Sequence, residues 1–164
     1  MRVLGVDPGT IITGYGVVDV RSGKPNYVTH GVIKTTPKQP LWERIQHIHL
    51  KMVEIALEHR PDVLAIERCF VSRNVQSALK LGHTRGVIIV AGMNAGASIA
   101  EYTPTEVKNA VTGYGRAEKH QVAQMVKMIL SLQETPQADA ADALAVALTH
   151  TFGIRARAAM GGTR

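Results

Sequence analysis

The chain has 164 residues, 45% of them hydrophobic, enough for one domain with a core of its own. No window nears the eighteen or so consecutive apolar residues of a membrane span, and the N-terminus lacks a signal-peptide pattern, so a cytoplasmic protein without membrane attachment is expected. A single cysteine, Cys69, excludes an internal disulfide or a cysteine-based zinc cluster, and the net charge of +6 suits a polyanionic partner.

In chain order, residues 2–7 read as a buried strand. Asp7-Pro8-Gly9 is a turn signal, and residues 13–20 read as a strand returning from it. A second turn at Arg21-Ser22-Gly23-Lys24-Pro25 leads to a third strand over residues 27–33, which completes an antiparallel meander. Leu41, Ile45, Ile48, Met52 and Ile55 recur at helical spacing, and Pro61 ends that helix. Residues 62–67 form a fourth strand. A glycine-interrupted helix pattern spans about 73–93, and residues 98–102 give the last strand. Helices follow near 104–111, 118–130 and 136–151. The pattern is α/β: one mixed sheet with helices on its faces. Residues 1–152 form a single domain, and residues 153–164 read as a basic, flexible tail.

Four carboxylates stand in apolar or small-residue surroundings. Asp7 ends Val3-Leu4-Gly5-Val6, and Glu67 ends Val63-Leu64-Ala65-Ile66. Asp139 and Asp142 lie in the alanine-rich stretch 138–148. Buried acids are rare unless paired or bound to metal. Each has a structural alternative except the last. Asp7 could cap its own turn, Glu67 could pair with Arg68 or Arg73, and Asp139 would complement a helix dipole behind a Thr135 N-cap. Asp142 lies one turn further in on the face of Asp139. At an effective dielectric of about 20 and roughly 4 Å, one unscreened like-charge pair costs about 4 kcal/mol. No lysine or arginine occurs between Ala138 and Phe152 to neutralise the pair, so a bound cation is expected. On this reading Asp142→Asn leaves the metal-free protein at least as stable as wild type.

Oxygen-only ligands suit Mg²⁺, with Mn²⁺ able to substitute, and argue against zinc. Four such groups can hold two ions for in-line displacement at a phosphodiester. His47 and His49 face apart on their helix and read as solvated surface. Setting the four acids aside leaves 19 basic residues against 9 acidic ones, a basic body around an acidic pocket. Phe70, three residues past Glu67, could stack on unpaired bases or fold back onto the core. Lys119 sits where a helix begins, against the local dipole, which makes it a candidate phosphate contact or charge stabiliser. Lys108 is a further candidate, and Arg73, Lys80 and Arg85 would extend the basic surface. Ala78, Gly82 and Gly86 share one helix side, with internal packing the default and a second subunit the alternative.

Taken in order, several segments resemble the RuvC family of Holliday junction resolvases. They are Leu4-Gly5-Val6-Asp7-Pro8-Gly9-Thr10 with Thr13-Gly14-Tyr15-Gly16, Ala65-Ile66-Glu67 with Phe70, 77–82 through Arg85-Gly86, and 137–145. The resemblance implies a ribonuclease-H-like fold, with a five-stranded mixed sheet of three antiparallel then two parallel strands flanked by helices. It implies a homodimer that nicks two strands of like polarity in a four-way DNA junction, beside the RuvA and RuvB branch-migration complex. It makes Asp7, Glu67, Asp139 and Asp142 the metal-binding catalytic acids and Phe70 the aromatic at the junction bases. Lys108 and Lys119 fall at basic positions near the scissile phosphate. Some members carry histidine where this chain has Asp139, so an imidazole base is not available there. Two rivals remain: a non-catalytic junction-binding protein, and an actin-like phosphate-binding ATPase, which would need a second copy of the opening motif.

Overall fold

The structure is a computed structural model that describes residues 1–68 and 74–161, with backbone alone from 155 onward. Phe70 and Arg73 therefore lie outside the described residues. Strand β1 (Arg2–Asp7) pairs antiparallel with β2 (Ile12–Arg21), which pairs antiparallel with β3 (Lys24–Lys34). Helix α1 (Leu41–His59) leads to β4 (Val63–Glu67), parallel to β1. Helix α2 (Val75–Asn94) leads to β5 (Ser98–Tyr102), parallel to β4. The sheet order is β3-β2-β1-β4-β5, the three antiparallel and two parallel strands expected. Helices α3 (Pro104–Thr112), α4 (Lys119–Ile129) and α5 (Ala138–Gly161) complete the order. None of the helices among the described residues is long and apolar enough to cross a membrane.

Strand alternation divides the core into two layers. Val3, Val63 and Ala65 pack with α3, α4 and α5, whereas Leu4, Val6, Leu64 and Ile66 pack with Ile48 and Met52 of α1 and Ile88 of α2. Asp7 and Glu67 share the odd parity of Val3 and Val63, so both carboxylates project toward the α5 layer. Glycines let α5 lie directly on the sheet. A Cβ on Gly5 would overlap the backbone of Ala143 and Ala147, and one on Gly14 would overlap the carbonyl of Asp139.

Several local expectations change. Helix α5 begins at Ala138, where the Ala141 amide donates to the Gln137 carbonyl at 2.8 Å, so Gln137 rather than Thr135 stands at its start. It also continues to Gly161, past the end expected near Thr151, because no glycine or proline interrupts residues 138–152 and Gly153 alone does not stop it. Residues 153–161 thus extend a helix where a tail was expected. His49 is not solvated surface, since its Nδ1 donates to the Val87 carbonyl at 3.1 Å between α1 and α2. Gly82 and Gly86 have no atom within 4 Å of where a Cβ would stand, so they serve no packing among the described residues. With Val75, Leu79, Val90 and Met93, all at least 49% exposed, they form a continuous outward stripe on α2.

Candidate active site

Asp7 and Glu67 leave the sheet at the carboxyl ends of neighbouring parallel strands, where Val6 pairs with Ile66. Helix α5 crosses that edge with its first turns, bringing Asp142 against them, and α4 presents Lys119 from its first turn. One cleft is lined by Asp7, Glu67, Asp142, Lys119 and Lys108, with Pro104, Val107 and Val122 as its apolar wall. Asp139 stands at the margin of this group, where its charge still acts on Asp7 and Lys119. Its Oδ2 accepts from the Gln137 side-chain amide at 3.3 Å.

The site has an electrostatic gradient. Burial pushes the Asp7 carboxyl up to about 7, and the charges of Glu67, Asp142 and Asp139 add to it while Lys119 opposes them. Burial also raises Glu67, with Asp142 adding and Lys119 and Lys108 countering. Neither alternative partner is realised among the described residues. Asp7 makes no cap to its own turn, where Thr13 and Gly9 bond each other instead, and Arg68 turns to Glu101 at 3.4 Å rather than to Glu67.

Asp142 differs from the other acids, and from what its local sequence suggests. Lys119 Nζ donates to Asp142 Oδ2 at 2.7 Å, so the repulsion with Asp139 is met by a lysine 23 residues away rather than requiring a metal ion. A search for cations near in sequence misses it, because only the packing of α4 on α5 brings the two groups together. This hydrogen bond raises the lysine above its ordinary range. Among the described residues no three acidic, histidine or cysteine side chains close around one point tightly enough to grip an ion. The donor set nevertheless fits a hard divalent cation. Its oxygens are all carboxylate, and the Asp7 carboxyl is buried without a cationic partner in contact among the described residues, a state that a bound ion relieves.

The outlying residues divide. Lys80 is exposed on α2. Arg85 is engaged internally by Glu101, which also holds Arg68. Missed by sequence reading were the glycines at 5, 14 and 16 as the seat of α5; Gly14 and Gly16 stand two apart in a strand, a spacing that marks one bare face.

A family model described as crossover junction endodeoxyribonuclease RuvC matches residues 3–150. A curated relative of that name from Geobacter metallireducens is 51% identical over 150 residues, covering 92% of each chain. Another from Magnetococcus marinus is 49% identical and covers 92% of this chain and 83% of its own. Among solved structures, Thermus thermophilus RuvC in complex with Holliday junction substrate is 41% identical with a TM-score of 0.89 and covers 96% of each chain.

Proposed function

This chain belongs to the RuvC family of crossover junction endodeoxyribonucleases, and from that premise we propose that its cleft of three carboxylates and two lysines carries the phosphodiester hydrolysis. The protein is a Holliday junction resolvase of recombination and repair. The single observation behind the assignment of residues is the convergence of Asp7, Glu67, Asp142, Lys108 and Lys119 on one cleft at the carboxyl edge of the sheet.

Asp7, Glu67 and Asp142, with Asp139 at the margin, are the residues that would hold Mg²⁺ or Mn²⁺, two ions by the number of oxygens available. When bound, such ions activate water and stabilise the leaving oxygen of a phosphodiester. The protein's own groups do the rest. Lys119 holds Asp142 in the free protein, yet its side chain is 77% exposed and free to turn toward a phosphate. Its raised affinity for protons keeps it cationic, which suits charge stabilisation. Lys108, on α3, adds a second positive charge to the cleft. Val107 and Val122 exclude water from one side and strengthen both interactions. Phe70 and Arg73 follow Glu67 by three and six residues and would meet the junction bases and backbone, with Lys80 extending the basic surface.

Two nicks of like polarity require two sites, and the exposed stripe of α2 supplies a surface for a second copy of the chain. Small residues at positions 82 and 86 permit close approach there, with Leu79 and Val90 as apolar contacts. RuvA and RuvB would be the partners that deliver the junction.

The test is cleavage of an immobile four-way junction, with linear duplex as control, in Mg²⁺ or Mn²⁺ and in EDTA, for wild type and Asp7→Asn. Paired nicks on the junction alone, absent in EDTA and in the variant, are expected. Junction binding without cutting under every sequence and both metals would leave a binding module instead.

A further inference from the structure

A second groove opens on the far side of the Lys119–Asp142 bond, lined by those two residues and by His120, Ala123, Gln124, Thr135, Pro136 and Ala138. We propose that it is a nucleotide subsite of the same reaction, seating the nucleoside beside the scissile phosphate, with Gln124 and His120 contacting its base. The proposal rests on the junction-cutting reading given above and deepens it.

Continuity comes first. Lys119 and Asp142 line both the catalytic cleft and this groove, so a strand whose phosphate meets Lys119 continues into the groove with its next sugar and base. Chemistry is the second consideration. Ala123, Pro136 and Ala138 make an apolar floor against which a sugar or base can lie flat, while the rim carries hydrogen-bonding side chains. The Gln124 amide reaches Thr135 Oγ1 only at 3.5 Å, the outer limit of a hydrogen bond, so it remains available to a base edge. His120 is exposed on the groove lining, with a Glu118 carboxylate oxygen 3.3 Å from its Nδ1.

Charge is the third. Among the described residues, the one acid on the lining is Asp142, paired with Lys119, and Glu118 stands outside the lining beside His120. Other depressions differ. The one beside Arg2 is lined by three acids, Asp19, Glu58 and Asp62, and the one beside Tyr15 by both Glu54 and Glu58. Neither shares a residue with the catalytic cleft.

The experiment uses a branch-migrating junction that exposes many sequences to the enzyme, with every cut mapped. Gln124→Ala is expected to reduce the base discrimination of wild type at a position flanking the cut about tenfold, the size of one good base contact. Junction affinity should stay within about twofold, because a phosphate-only role would move affinity and not base preference. Ala123→Leu fills the floor and is expected to slow cutting about tenfold with junction binding retained. Unchanged cut-site distribution in Gln124→Ala together with unchanged rate in Ala123→Leu overturns the proposal, as does a wild type indifferent to every flanking base. Should Ala123→Leu fail to fold, the exposed Gln124→Ala decides alone. A wild type that cuts no junction would instead remove the reading on which the subsite rests.

Discussion

Asp7 carries the largest electrostatic strain in the site, and its effect on stability has a definite sign. The fold holds its carboxyl at about 7 against an ordinary 3.8, chiefly through burial. The folded protein therefore binds that proton more tightly than the unfolded chain. Stability from this group is fully present below about pH 4, declines between about 4 and 7, and is absent above. In EDTA at pH 8, Asp7→Asn should be more stable to unfolding than wild type by on the order of 2–4 kcal/mol, at about 1.4 kcal/mol for each tenfold change in proton affinity. The difference should vanish near pH 4, and equal melting at pH 8 would show that the carboxyl is not strained. Asp142 is the weaker case, because Asp142→Asn removes the charge from its ion pair with a largely exposed lysine while relieving repulsion on Asp7 and Glu67. Those changes oppose each other. A melting temperature near that of wild type is the expected result.

Among the elements, α5 decides the geometry of the site. Its first turns bring Asp139 and Asp142 to the sheet edge, and it reaches that depth because β1 and β2 offer bare backbone beneath it. At position 14 a methyl group would overlap the Asp139 carbonyl, backbone that cannot swing aside as a side chain can. Gly14→Ala should therefore cost over about 2 kcal/mol by overpacking. It should also depress junction cutting more than junction binding, because it lifts the helix end that carries two acids. Thermal melting with binding and cleavage assays on the same preparation checks both parts. Unaltered stability would mean that α5 is not seated on that glycine.

For the whole molecule, the outward stripe of α2 is the feature a single copy leaves unexplained. Val75, Leu79, Val90 and Met93 are each at least 49% exposed, and glycines at 82 and 86 leave the surface between them open. If a second copy covers this surface, Leu79→Glu should convert a dimer to a monomer in sedimentation, with cleavage falling to single, unpaired nicks. The side chain is solvent-exposed in the single chain, so folding should persist. A variant that stays dimeric would move the interface elsewhere.

Most of the architecture was legible in the amino-acid order. The unbroken apolar runs at residues 3–6 and 63–66, the turn glycines, and the helical spacing of Leu41, Ile48 and Met52 are local signals, and local signals survive folding unaltered. Asp7, Glu67, Asp142 and Lys119 were legible as candidates for the cleft they share, because charge in apolar surroundings or against a helix dipole is visible without coordinates, whereas Lys108 stood out only through the family resemblance. The partner of Asp142 was not. Lys119 lies 23 residues away, and only the packing of α4 against α5 brings its ammonium to 2.7 Å. Nor did residue order decide that Gly82 and Gly86 face outward, since small residues at helical spacing permit either kind of packing. The second groove, shared between α4 and the approach to α5, belongs to the same class. Its lining residues come from segments with no common pattern, and only tertiary packing makes them neighbours.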